Sequence, residues 1–175
     1  MQPRIISIKS KKLLGKSARM SVLNDSTVQL WQLFMPSRNK IQNAANSNLY
    51  SVQVFESATY FDQYSPEKEF EKWAAIEVTD FADIPKEMET LVIPEGTYAV
   101  FDYKGPANAA LPFFQYIFQT WIPESVYTVD NRPHFALMGE KYRGNNPDSE
   151  EEIWVPVKKK LSNIEYSTSK ASFGN

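Results

Sequence analysis

Apolar and polar residues alternate along most of the chain, and two stretches break that pattern with helical spacing. In the first segment, RIISIKSKKLLGKSARMSV (Arg4 to Val22), Ile6, Ile8 and Leu13 predict a broken strand, with Gly15 as a kink or bulge. Asn24, Asp25 and Ser26 then offer helix caps, and Val28, Trp31 and Phe34 (or Leu33, Met35) recur at helical spacing until Pro36, where a kink or restart is expected. LYSVQVF (Leu49 to Phe55) reads as a strand with Tyr50, Val52 and Val54 on one face and Ser51, Gln53 and Phe55 on the other. KWAAIEV (Lys72 to Val78) reads as a second strand, with Trp73, Ala75 and Glu77 on one face.

The same order then repeats. Pro94, Glu95 and Gly96 supply a turn that splits two short strand runs, the second being Tyr98 to Tyr103. Ala107 to Ser125 predicts a helix that buries Phe113 or Phe114, Ile117, Phe118 and Trp121, with Pro112 in its first turn and Pro123 at its end. His134 to Tyr142 and Glu150 to Lys158 predict a closing pair of strands, and Pro156 suggests an edge position or a bulge in the last. The expected fold class is therefore α+β. Two β-α-β-β halves, about 4–80 and 90–158, would form a curved antiparallel sheet with helices on one face and a ligand groove on the other. Residues 1–160 make one domain, and 161–175 read as a flexible polar tail.

Composition narrows the function classes. A chain of 175 residues, 42% hydrophobic and 23% charged, is long enough for a substantial core. The net charge of −2 gives no basic surplus for nucleic acid. No apolar run approaches the roughly 20 residues of a membrane helix, and the N-terminus reads as a strand and not as a signal peptide, so a cytoplasmic location is expected. With no cysteine and one histidine, His134, neither a disulfide nor thiol catalysis is available, and a metal site would have to be almost all carboxylate. No metal or other cofactor is expected.

Aromatic residues reach 14% and are the main chemical signal. If helices cover Phe135, Leu137, Ile153, Val155 and Val157, the open face holds His134, Ala136 and Met138, with Glu152 and Trp154 beside them. A large uncovered aromatic surface points to binding, whereas plain core packing is the reading for any single tryptophan. Glu152 and Glu77 are the carboxylates placed to face such a pocket, where one would attract cations or act as a base. Glu150 and Glu151 read as a solvated strand end. Tyr50, Tyr98, Tyr103 and Tyr127 could offer hydroxyls to a ligand or simply bond backbone. The candidate ligand-binding set is Trp31, Phe34, Tyr50, Trp73, Tyr103, Trp121, Tyr127, His134, Ala136, Met138, Glu152 and Trp154.

RPHFALMGEKYRGNNPDSEEEIWVPV (Arg132 to Val157) resembles the closing hairpin of the gyrase-inhibitor-like (GyrI-like) small-molecule-binding family, which includes effector-binding domains of AraC-type and MerR-type regulators. GTYAVFDYKGP and TWIPES match its second half, and LWQLFMPSRNKI, LYSVQVF and FEKWAAIEV match its first. The resemblance implies two SHS2-like halves, a central groove with aromatic walls, and drug-like, often cationic, aromatic ligands. Some members of the family are similar to hydrolases that open reactive cyclopropane rings. The family relies on a glutamate in the pattern RPHFE, and here RPHFA puts Ala136 at that position.

Three functions follow as expectations. The first is a stand-alone binding module for a hydrophobic aromatic molecule, with no helix-turn-helix segment ahead of it and no direct contact with nucleic acid or membrane. The second is a detoxifying hydrolase of cyclopropane-bearing compounds, impaired by Ala136. The third is a protein-binding inhibitor that uses acidic segments such as Glu67 to Glu71. The oligomeric state is left open.

Overall fold

The strands are β1 (Arg4–Ile8), β2 (Lys11–Met20), β3 (Leu49–Val54), β4 (Phe70–Val78), β5 (Glu89–Ile93), β6 (Gly96–Lys104), β7 (Tyr127–Val129), β8 (His134–Met138) and β9 (Glu150–Lys159). In the computed structural model, which describes residues 1–61 and 65–161, they form one antiparallel sheet in the order β1-β6-β9-β8-β3-β4-β2-β5, with β7 added to the end of β9. This order is a palindrome. Each half contributes a long first strand that is broken in two, a helix, and a pair of strands. β3 of the first half meets β8 of the second at the centre.

The breaks explain the shape. β1 and β2 lie six places apart in the sheet, roughly 29 Å if it were flat. Yet only Lys9 and Ser10 separate them, a link that spans about 10 Å. The register runs straight through the break: Ile8 faces Gly96 and Lys11 faces Ile93, so the bent pair β1–β2 lies along the bent pair β5–β6. The sheet therefore curls until its two ends are held by the same two stretches of chain. Gly15 lies within β2 and not at the break. Its role is close approach, since a Cβ there would sit 2.2 Å from the Ala74 carbonyl oxygen and 2.7 Å from the Ala75 Cβ.

Both helices lie on the same face of the sheet, the outer one. α1 (Thr27–Phe34) lays Leu30 and Phe34 over Leu14, Ala74 and Ile76. A 3₁₀ turn, Met35–Lys40, follows with Pro36 in its first turn, where the restart is expected. In the second half α2 (Leu111–Tyr116) runs through a π turn (Ile117–Trp121) into α3 (Ile122–Glu124). Ile117, Trp121 and Ile122 cover Ala99, Phe101, Ile153, Val155 and Val157.

The inner face packs against itself. Leu13, Tyr50, Val52, Trp73, Ala75, Ile93, Tyr98, Val100, Phe135 and Trp154 form a single buried cluster to which no helix contributes. Phe135 stacks on Trp154 at 5.1 Å between ring centroids, and Tyr98 contacts both. Small curled sheets fill their interior with side chains in this way. Each half also carries the same local device: the Trp73 indole donates to Glu71 and the Trp154 indole to Glu152, in each case a carboxylate two residues earlier on the same strand.

Two expectations are corrected here. β8 has the opposite phase: Phe135 and Leu137 point inward, paired with Trp154 and Glu152, while His134, Ala136 and Met138 face the helices. Ala136 is therefore not beside Trp154 but opposite Ile153. The inner face, expected to be an open groove, is core, because the curl brings its own aromatic side chains together. β8 also ends at Met138 and not at Tyr142. Pro156 lies in an interior strand; it sits where the ladder of β9 passes from β8 to β7, so β9 loses no bond for its missing N–H there. The tail expected to be flexible lies, from residue 162 on, outside the described residues.

Candidate ligand-binding groove

The two central strands locate the groove. On their inner side Tyr50, Val52 and Phe135 are only 2%, 0% and 3% exposed. On their outer side Ser51, Gln53 and Ala136 are partly open to solvent. α1 covers β2 and β4, and the second helix covers β6 and β9, so the seam between β3 and β8 runs uncovered by either helix. Its floor is made by the register pairs Gln53–His134, Ser51–Ala136 and Leu49–Met138. The middle pair consists of two small residues and leaves the most room.

One end of this seam is aromatic. The chain leaves β3 through Phe55 and a 3₁₀ turn, Ala58–Phe61, and returns over the groove. Phe61 stacks on Phe118 of the π turn at 4.2 Å, nearly parallel, and so bridges the two halves. Phe55, Phe61 and Phe118 surround the His134 ring at 4.9, 5.4 and 6.0 Å. His134 is 6% exposed and has no hydrogen-bond partner among the described residues. Burial, aided by the charge of Arg132, lowers its pKa to about 3, so the imidazole is neutral.

Charge enters from the flanking strands. Lys72 lies on the helix side of β4, opposite Gln53, and completes a row Lys72–Gln53–His134. It is half-buried and has no hydrogen bond or ion pair among the described residues. Burial lowers its pKa to about 8 against the opposing pull of Asp25 and Glu151. Glu151 lies on the same face of β9 as Ile153, towards the other end of the seam. Burial raises its pKa, with Lys72 opposing. Burial and the charge of Glu151 in turn raise that of Tyr142. The candidate groove thus has an ammonium at its aromatic end and a carboxylate near the other, neither with a hydrogen bond or ion pair among the described residues, and alanine between.

The candidate set divides accordingly. His134, Ala136 and Met138 come together on the groove floor. Tyr50, Trp73 and Trp154 are in the inner core. Trp31 and Phe34 pack edge-on under α1; Trp121 stacks on Tyr127; the Tyr103 hydroxyl donates to the Pro106 carbonyl at 2.9 Å. Glu152 accepts from Trp154 and pairs with Arg4. Glu77 is likewise engaged: burial would raise its pKa, but bonds from Tyr50 and Lys11 hold it below the usual carboxylate range. Groove residues outside the set are Ser51, Gln53, Phe61, Lys72, Phe118 and Glu151. Alternation on β3 already separates Ser51 and Gln53 from the inward side chains, but the pairing of Phe61 with Phe118 joins positions distant in sequence.

The arrangement matches known proteins. Residues 1–158 match the model of the GyrI-like small molecule binding domain. The chain belongs to that family. It is 24% identical over 159 residues to the transcriptional regulator BrlR of Pseudomonas aeruginosa, covering 90% of this chain and 56% of that protein, so the chain spans little more than half the regulator's length. The structure of SAV2435 bound to tetraphenylphosphonium superposes with a TM-score of 0.63 at 18% identity, over 95% of this chain and 97% of the other. A hydrolase from Listeria innocua superposes with a TM-score of 0.55 at 12% identity, over 90% and 92%. These GyrI-like relatives share the fold, an α+β sheet with two helices. No helix among the described residues is long and apolar enough to cross a membrane.

Proposed function

We propose that this GyrI-like protein binds a hydrophobic, aromatic small molecule in the helix-side seam between β3 and β8. The observation that carries this reading is the contrast across one strand pair: small, partly open residues on the outer side, sealed core on the inner. A ring entering at the aromatic end takes the place of the Phe61–Phe118 stack, whose loss of about 0.5–1.5 kcal/mol is small beside the apolar area a drug-sized ligand buries. The neutral imidazole of His134 and the amide of Gln53 are then available to orient it.

A neutral, solvatochromic dye such as Nile red tests the reading. Its emission should rise and shift to the blue on binding. Ser51→Leu, which fills the floor at a site with room for it, should weaken binding about ten-fold or more while the melting temperature stays close to that of the parent. Dye binding that ignores Ser51→Leu and also ignores Phe118→Ala would place the ligand elsewhere.

Hydrolysis is a second reading, favoured by one feature. Glu151 is a desolvated carboxylate beside Tyr142 on the same face as Ala136, and a raised pKa suits a general base. Turnover of an electrophilic cyclopropane that disappears in Glu151→Gln would support it. Equal rates in the two forms would remove Glu151 from any chemistry.

A further inference from the structure

Resting on the groove reading above, we infer that the aromatic end of the seam selects ligands bearing an acidic group, with Lys72 as the residue that takes the anion. Four observations converge. Lys72 is on the groove side of β4, in one row with Gln53 and His134. Its ammonium has no hydrogen bond or ion pair among the described residues; Asp25 and Glu151 act on it only from a distance. A half-buried lysine without a partner is destabilising until an anion supplies one, and a charge-assisted bond to a carboxylate or sulfonate is among the stronger polar contacts a ligand can make. Second, the middle of the seam floor is the pair Ser51–Ala136, which carries no charge. Third, the charge that acts on His134 is also positive, that of Arg132. Fourth, the carboxylate of the groove, Glu151, lies three strands away on β9 and beyond Met138, off the aromatic end.

An aromatic ring system placed against Phe55, Phe61, Phe118 and His134 therefore has the Lys72 ammonium beside it, and among the described residues the carboxylates that act on that ammonium, Asp25 and Glu151, do so without an ion pair. The ligand class is an aromatic acid. A basic group is accommodated only at the far end, near Glu151.

Tetraphenylborate and tetraphenylphosphonium have nearly the same shape and apolar surface and opposite charge, so their difference isolates the electrostatic part of binding. Titration calorimetry on the full chain should show the borate binding about ten-fold tighter than the phosphonium. Lys72→Met should abolish that preference by weakening the borate, with a melting temperature no lower than the parent's showing that the variant is folded. Lys72→Arg should keep the preference. Ala136→Glu should reverse it. Phosphonium binding as tightly as borate to the parent protein, or an unchanged borate preference in Lys72→Met, overturns the inference while leaving the groove in place. Loss of Nile red binding to the groove, by contrast, overturns the reading on which it rests.

Discussion

Phe135 and Ala136 are adjacent in the chain and belong to different environments. Phe135 points into the curled sheet among Tyr50, Tyr98 and Trp154, all of them buried. Ala136 points the other way, onto the helix side, where it is partly open and packs against the edge of the cluster under the second helix. The two faces differ in what their aromatic residues do. Inside, tryptophan and tyrosine fill space and bond to local partners: Tyr50 to Glu77, Tyr98 to the Pro133 carbonyl, each Trp to its own glutamate. Outside, three phenylalanines surround the His134 ring, which has no hydrogen-bond partner among the described residues. Aromatic density marks the core of this molecule, whereas the seam proposed as the site carries small residues and polar groups that lack a hydrogen-bond partner among the described residues.

The largest test of that contrast compares neighbouring substitutions. Phe135→Ala should lose about 3–5 kcal/mol of unfolding free energy, because it removes a ring from a cluster that cannot collapse around the hole. Ala136→Ser, one residue on, should change stability by less than about 0.5 kcal/mol. Urea denaturation measures both. Similar losses for the pair would mean that position 136 is core as well.

A smaller effect is expected where the curl is tightest. Gly15→Ala puts a methyl group against the Ala74 carbonyl, and strands β2 and β4 must move apart to admit it. Overpacking of this kind costs roughly 1–3 kcal/mol. Nile red affinity, measured well below the melting temperature, should stay near the parent value, since the inner face and the seam are on opposite sides of the sheet. A variant that stays fully stable yet loses dye binding would show that the two faces are coupled.

Much of this fold is legible in the amino-acid sequence. Ile6, Ile8 and Leu13 signal the broken first strand, and Pro94-Glu95-Gly96 signals its counterpart, so the duplicated order of elements follows from local turn chemistry. The faces of β3 follow from its alternation. The phase of β8 does not, because HFALM is apolar on both sides and alternation then carries no sign. Nor does closure of the inner face, which depends on β1 pairing with β6 and β2 with β5 across roughly 75 to 95 residues of chain. Ala136 illustrates the division: alternation alone sets it on the open face beside Trp154, and the phase of β8 puts it on the helix side opposite Ile153. Lys72 reads as an ordinary solvated position in a strand; only its register with Gln53 and His134 brings it to the groove.

His134 offers the smallest effect and the most local one. It is the chain's single histidine, so it alone among the side chains has an ordinary pKa near 6.5. In the folded protein burial holds that pKa down to about 3. Between these values the unfolded chain binds a proton and the folded chain does not, so stability is complete above pH 6.5 and falls as the pH drops toward 3. From pH 7.5 to 5.5 the loss should be about 1.4 kcal/mol. Glu151, whose folded pKa is raised, contributes in the opposite direction, with stability lost as the pH rises through that value, but it is equally present in His134→Gln. The difference between the parent and His134→Gln urea profiles therefore isolates the imidazole. If that difference is flat with pH, His134 is solvated and the aromatic end of the seam is open rather than capped by Phe61. A bound anion should shrink the slope, because negative charge near the ring raises its folded pKa toward the unfolded one. Tetraphenylborate should therefore flatten the parent profile where Nile red leaves it unchanged, and this links the neutral histidine to the charge that the groove selects.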